Sequence, residues 1–160
     1  MIFGPRRSSP AVIRPLRPEK AEDCARLHAA GFAYPWSAQE VAALIASSST
    51  LGAAALDPSN GRLRGFVISR LAMDEAEILT IAVEAASRGK GVGRALLNEN
   101  LRQAANAGAK AMFLEVDRDN AAAVALYKRL GFVTVGERGG YYRRQDGARA
   151  AAIVMRKALS

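Results

Sequence analysis

The sequence predicts a mixed α/β sheet folded as one domain, and three observations carry that reading. The chain has 160 residues, 50% apolar and 24% charged, a size at which about two thirds of the surface is buried around one core. Two apolar runs flank a turn-forming Asp57-Pro-Ser-Asn-Gly61, and a third, Glu77–Val83, follows them as the strongest strand signal. From there the apolar period switches between 2 and 3.6 residues, as strand–helix–strand–helix–strand.

Each element has its own signal. Residues 1–10 read as a loose tail and 11–160 as a single domain. The twin arginine Arg6-Arg7 has no apolar stretch behind it, and Pro5, Pro10, Pro15 and Pro18 oppose a transit helix. No apolar run approaches the roughly 18 residues of a membrane helix, so the chain is expected to be cytoplasmic. Residues 11–17 suggest an edge strand, where Pro15 is tolerated. Glu19 to Ala30 reads as a helix, with Ala21, Cys24, Ala25, Leu27 and His28 at helical spacing. Ser37 followed by Glu40 is a capping box for a second helix ending near Ala46. Leu51–Leu56 and Leu63–Leu71 are strands around the 57–61 turn. Glu77–Val83 is the strongest strand. A helix from Gly91 to Ala107 shows Leu96, Leu97, Leu101 and Ala104 on one face and stops at Gly108. Ala111–Val116 is a strand, Asn120 caps a helix ending at Gly131, and Phe132–Val135 and Ala150–Met155 close the sheet.

Lys and Arg number 23 against 15 Asp and Glu, a net charge of +8, which points to an anionic partner. One cysteine and one histidine exclude an intramolecular disulfide and a Cys/His zinc site, and no metal is expected. The sharpest local feature is Arg88-Gly89-Lys90-Gly91-Val92-Gly93-Arg94, set between a strand and a helix. Glycines permit positive φ and a close approach to the main chain, and amides at a helix start converge on an anion. A pyrophosphate fits such a turn; an ordinary basic turn is the alternative. The dinucleotide fingerprint fails because Arg94 stands where its third glycine belongs, and the P-loop fails for want of Gly-Lys-Ser/Thr.

This turn, following Glu-Ile-Leu-Thr-Ile-Ala-Val83, resembles the coenzyme A pyrophosphate loop of the GNAT acetyltransferase superfamily. The resemblance continues through Leu114-Glu-Val-Asp-Arg-Asp-Asn120, Ala125-Leu-Tyr127 and Leu130-Gly-Phe132, and spans about residues 12–156. His28 through Phe32 to Pro35-Trp36-Ser37, with Arg138-Gly-Gly-Tyr-Tyr142, looks most like the ribosomal-protein alanine N-acetyltransferases. The resemblance implies a mostly antiparallel sheet with a splayed strand pair, about four helices, and acetyl-CoA as co-substrate. It implies that Ile81, Ala82 and Val83 meet the pantetheine arm, that residues 89–94 with Arg88 cradle the pyrophosphate, and that Asn120 lies beside the cofactor. For Asn120 a plain helix cap stands as an equal reading. Glu115 matches the general base and Tyr127 the general acid.

The chemistry asks for those roles, since an amine must be neutral to attack a thioester and a departing thiolate gains from a proton. A free carboxylate titrates near about 4.3, so a base role requires burial, a developing ammonium or a water relay. On residue type alone Glu115 reads as a strand glutamate paired with an arginine, and Tyr127 as a core aromatic. Cys24 and His28 read as structural. Trp36 either anchors its loop or lines the acceptor groove, and Tyr141 and Tyr142 are either strand aromatics or substrate-facing. Trp36, Glu77 and Tyr142 are taken as acceptor-binding.

Residues 71–87 carry Asp74, Glu75, Glu77 and Glu84 with no Lys or Arg, either a solvated acidic turn or an attraction for a cationic acceptor. The favoured acceptor is a protein N-terminus, that of an alanine-starting ribosomal protein. A small amine or internal lysine is the alternative, and a non-catalytic acyl-CoA-binding or nucleic-acid-binding module the second. Neither a membrane nor direct nucleic-acid contact is expected, and the oligomeric state stays open. Two departures from the family pattern stand out: Ala85 replaces a common proline, and Ala151 an acidic residue before Ala152-Ile-Val-Met155.

Overall fold

A seven-stranded sheet runs β1-β2-β3-β4-β5-β7-β6 in a computed structural model that describes residues 9–143 and 149–159, with side chains for 9–139 and 151–159. The strands are β1 (Val12–Pro15), β2 (Thr50–Leu56), β3 (Leu63–Ala72), β4 (Glu75–Val83), β5 (Ala111–Asp117), β6 (Val133–Arg143) and β7 (Arg149–Ala158). The helices are α1 (Ala21–Gly31), α2 (Ala38–Ala46), α3 (Val92–Asn106) and α4 (Ala121–Arg129). Neighbouring strands are antiparallel except β4 and β5. Residues 1–8 of the expected tail lie outside the described residues, and the Ser9 carbonyl accepts from Arg64 Nη1 at 2.7 Å.

Alternation along β2 and β3 builds a core on each face. Val67, Ala53 and Ala55 pack toward Leu96, Leu97, Leu101 and Ala104 of α3. Phe66, Ile68 and Ala54 pack toward Cys24 of α1 and Val41 of α2. Ala53, Ala54 and Ala55 are all at or below 1% exposure, and their small side chains let helices approach both faces closely. Burial of each large apolar side chain stabilises the fold by about 1.5–3 kcal/mol.

The element ends follow their capping residues. Ser37 Oγ accepts from Glu40 N at 3.1 Å, and Glu40 Oε2 accepts from Ser37 N at 3.3 Å, completing the capping box. Asn120 Oδ1 accepts from Ala123 N at 3.2 Å, so the cap reading of Asn120 holds. Gly108 ends α3 at φ 94° and Gly131 follows α4 at φ 95°, a conformation glycine adopts without a Cβ clash. The first helix starts two residues later than expected, because Pro18–Lys20 forms a 3-10 turn ahead of it. Strand β6 runs to Arg143, eight residues past its expected end at Val135. Gly136 and Gly139 lie where the β6–β7 register shifts, between Thr134 and Gly136 and between Arg138 and Tyr142.

Strands β4 and β5 pair only from Glu75–Glu77 to Ala111–Phe113 and then part, which is the splay the family resemblance implies. On the other side, Thr80 pairs with Ile68 but Ile78 with Ser69, so Leu79 bulges out of the β3–β4 ladder and bends β4 away.

One histidine organises the α1–α2 connection. His28 is 2% exposed and stacks between Phe32 and Trp36, at centroid separations of 4.1 and 4.5 Å. Its Nδ1 accepts from the Trp36 N–H at 3.1 Å, which requires a neutral ring. Burial holds its pKa below the ordinary 6.5, against the opposing pull of Glu40. The unfolded chain therefore takes up a proton below about 6.5 that the folded chain refuses, and stability falls as pH drops from there through the lower folded value. Urea midpoints measured from pH 7.5 to pH 5 should decline in the native protein and decline less in His28→Phe, the chain having no other histidine.

Candidate active site

The turn after β4 is built as an anion cradle. Gly89 and Gly91 sit at φ 74° and 81°, and nothing lies within 4 Å of a Cβ added to either. Backbone conformation, and not space, is what requires glycine there. Gly91 precedes α3 without a side-chain cap, and the first helical bond runs from Ala95 N to Gly91 O at 3.0 Å. The amides of Val92, Gly93 and Arg94 thus have no acceptor within the helix. Behind the turn, Glu84 binds the Arg62 guanidinium through both oxygens, and its Oε1 accepts from Ser87 Oγ at 2.6 Å. The Arg62 hydrogen bonds hold the Glu84 carboxyl below its ordinary pKa.

A cavity of about 520 Å³ opens over this turn, lined by Arg88, Gly89, Gly91, Val92, Gly93 and Arg94, with Leu126 and Arg129 of α4 opposite. Lys90, expected in the cradle, is not part of the lining. Arg88 Nε donates to the Val83 carbonyl at 3.3 Å. Val83, Gly93 and Leu126 also line a second cavity of about 410 Å³, so the two adjoin as neighbouring parts of one cleft region. Glu77, Ile81, Glu115, Asn120 and Tyr127 line its inner part, with Phe32 from the end of α1.

Strand parity separates the three expected pantetheine contacts. Glu84 N bonds the Arg64 carbonyl at 2.8 Å, so by antiparallel alternation Phe66–Ala82 is the next bonded pair of the register. Ile81 and Val83 then turn their peptide groups away from β3, toward the gap left by β5. Ala82 corrects the expectation: its peptide groups face Phe66, and its side chain packs with the core on the α1–α2 side.

Glu115 and Tyr127 reach the same cavity from β5 and α4. Tyr127 is 7% exposed and meets Phe132 edge to face at 5.9 Å. Glu115 is open to solvent on β5. Its side chain is 34% exposed, and Arg138 Nη1 lies 3.0 Å from its Oε1, so the arginine pairing read from residue type alone is present. Glu115 and Glu77 also line a third cavity of about 270 Å³, with Arg70, Glu75, Phe113 and Arg138. That cavity meets the second one at Glu77, Leu114 and Glu115.

The acidic stretch divides. Glu84 is committed to Arg62, and Asp74 lies 3.8 Å from Lys110; Glu75 and Glu77 remain at the third cavity. Trp36 anchors its loop. It stacks on His28, and it lines a shallow groove of about 550 Å³ with Leu44, Arg70 and Leu79, outside the cleft. Tyr142 pairs with Ala150 in the sheet, but its side chain, like that of Tyr141, lies outside the described residues. Cys24 is fully buried, with its thiol pushed up to about 12 by desolvation and by Asp23, so it is no nucleophile. Among the described residues no group of three His, Cys, Asp or Glu side chains converges on a metal position. Sequence reasoning missed Phe32 as a lining residue, together with Leu126 and Arg129. The 4-residue spacing of Ala122, Leu126 and Leu130 on α4 was the available signal.

Residues 21–132 match the Acetyltransferase (GNAT) family. The chain is 37% identical over 131 residues to the ribosomal protein bS18-alanine N-acetyltransferase of Escherichia coli, covering 80% of this chain and 84% of that protein. It is 39% identical over 142 residues to the N-alpha-acetyltransferase RimI of Mycobacterium tuberculosis, covering 85% and 87%. The crystal structure of the Escherichia coli ribosomal-protein-S18-alanine N-acetyltransferase superposes with a TM-score of 0.83 at 32% identity, over 94% of both chains.

Gly93 offers a clean probe of the cleft. A Cβ there meets only Leu126 Cδ2 at 3.6 Å and Val83 Cγ2 at 3.9 Å, ordinary contacts without backbone strain. Gly93→Val should move the ligand-free melting temperature by no more than a few degrees, while abolishing the thermal shift produced by coenzyme A.

Proposed function

Because the chain belongs to the GNAT acetyltransferase family, we propose that it transfers acetyl from acetyl-CoA to the N-terminal alanine of a ribosomal protein. One observation carries the proposal: an anion cradle and a carboxylate–phenol pair line adjoining cavities that share Val83, Gly93 and Leu126. Orphan amides, Arg88 and Arg94 fit a diphosphate, and the peptide groups of Ile81 and Val83 fit an extended amide-bearing arm. The residues present suit the cofactor. Acetyl-CoA supplies an activated acyl group as a thioester.

The remaining work falls to side chains. An α-amino group titrates near about 8 and a lysine near about 10.4, so a protein N-terminus is easier to present neutral. Glu75 and Glu77 at the third cavity draw in the cationic terminus. The incoming ammonium competes with Arg138 for Glu115, which accepts its proton and leaves the amine able to attack. The Tyr127 hydroxyl, a phenol that stays protonated at neutral pH, donates to the departing sulfur as the C–S bond breaks and regains a proton from the second one that the attacking nitrogen sheds as the amide forms. Transfer is direct, since the Cys24 thiol lies in the core on the α1–α2 side. Acceptor and acetyl-CoA would meet in the cytoplasm. Among the described residues no helix is long and apolar enough to cross a membrane.

Thiol release from acetyl-CoA tests the acceptor with an alanine-starting basic peptide, an internal-lysine peptide and a polyamine. The first should turn over fastest; turnover of only the other two would overturn the N-terminal assignment. Glu115→Gln should lower kcat by about a hundredfold or more with coenzyme A affinity unchanged, read by calorimetry beside the kinetics. Unchanged turnover would remove Glu115 from its role.

A further inference from the structure

The cavity over the start of α3 carries more positive charge than a diphosphate engages. One wall is the cradle itself, with the amides of Val92, Gly93 and Arg94 and the guanidinium of Arg88. The other is α4, which presents Ala122, Leu126 and Leu130 and then Arg129. Among the described residues no carboxylate lines the cavity and none pairs with Arg129. Arg129 Nε donates to the Ala125 carbonyl one turn back, at 3.3 Å. That bond holds the guanidinium along its own helix and leaves its two Nη groups outside it.

The sequence of surfaces on α4, an apolar strip ending in a guanidinium, matches one part of coenzyme A. Beyond the diphosphate the cofactor carries a flat, weakly polar adenosine and then a 3′-phosphate. A phosphate monoester bears about −1.5 to −2 charges near pH 7, and guanidinium is the side chain that binds it with two parallel hydrogen bonds. We propose that Arg129 binds the 3′-phosphate of coenzyme A, so that α4 distinguishes the cofactor from its 3′-dephosphorylated form. This rests on the reading of the cleft as the acetyl-CoA site and assigns to Arg129 a specificity that the cradle cannot supply. Arg88, Arg94 and the α3 amides serve the diphosphate, which both forms share.

The test pairs two ligands with three proteins. Calorimetry measures binding of coenzyme A and of dephospho-coenzyme A to the native chain, Arg129→Gln and Arg129→Lys. At low ionic strength the native chain should prefer coenzyme A by about tenfold, and the preference should shrink as salt is raised. Arg129→Gln should reduce it to about twofold by weakening coenzyme A binding alone, and Arg129→Lys should retain most of it. A merely structural arginine, complementing the C-terminus of α4, would change both affinities together or only the melting temperature. Equal affinities in the native chain, or an unchanged ratio in Arg129→Gln, would overturn the assignment. Failure of the native chain to bind either ligand would overturn the acetyl-CoA reading as well, and so is distinct from a lost preference.

Discussion

The protein depends on a sheet that is left incomplete. Strands β4 and β5 share three residues of parallel pairing and then separate, leaving the peptide groups of Ile81 and Val83 turned toward open space. Main-chain groups without a ladder partner are costly when buried, so the gap has to stay reachable by water or by a ligand that replaces the missing strand. The Leu79 bulge in β4 opens it. The α3 start lies at one end and β5 along the far side, which puts an anion cradle, an extended binding edge and a carboxylate in one line.

Charge is sorted along that line. The +8 excess is partly concentrated at the outer end, where Arg88, Arg94 and Arg129 border a cavity that no carboxylate among the described residues lines. At the inner end Glu75, Glu77 and Glu115 outnumber Arg70 and Arg138. Positive charge is thus gathered at the start of α3 and negative charge near the β4–β5 pairing, an arrangement that favours guests of opposite sign at the two places. Other charges hold the frame: Glu84 ties Arg62 to Ser87 behind the cradle, and Asp57 accepts from Arg64 and Ser59 at the β2–β3 turn.

Local features were the legible ones. Ser37 with Glu40, Asn120, Gly91, Gly108 and Gly131 each mark a helix end through the bonds or φ of that residue, so sequence placed those ends within two residues. The glycine turn was legible for the same reason, as its chemistry lies in consecutive residues. Ala82 was misread because which of three adjacent residues faces a gap depends on pairing with β3, a strand some 16 residues away in the register. The length of β6 was hidden because its glycines sit at bulges that only a partner strand reveals. The arginine pairing of Glu115 was legible from residue type, but which arginine, Arg138, and how exposed the pair is follow from how β6 lies against β7.

The sequence alone determined the order of elements and the glycine turn that builds the anion cradle. Each of these is written in periodicity, caps or a contiguous motif, and so acts over a few residues. Only the tertiary structure decided which peptide groups face the cleft, which acids stay at its mouth, and which guanidinium closes its outer end. Those properties belong to pairs such as Ile81 with β3, Glu84 with Arg62, and Arg129 with the start of α3. Their members come together only when the long-range strand pairing and helix docking are complete.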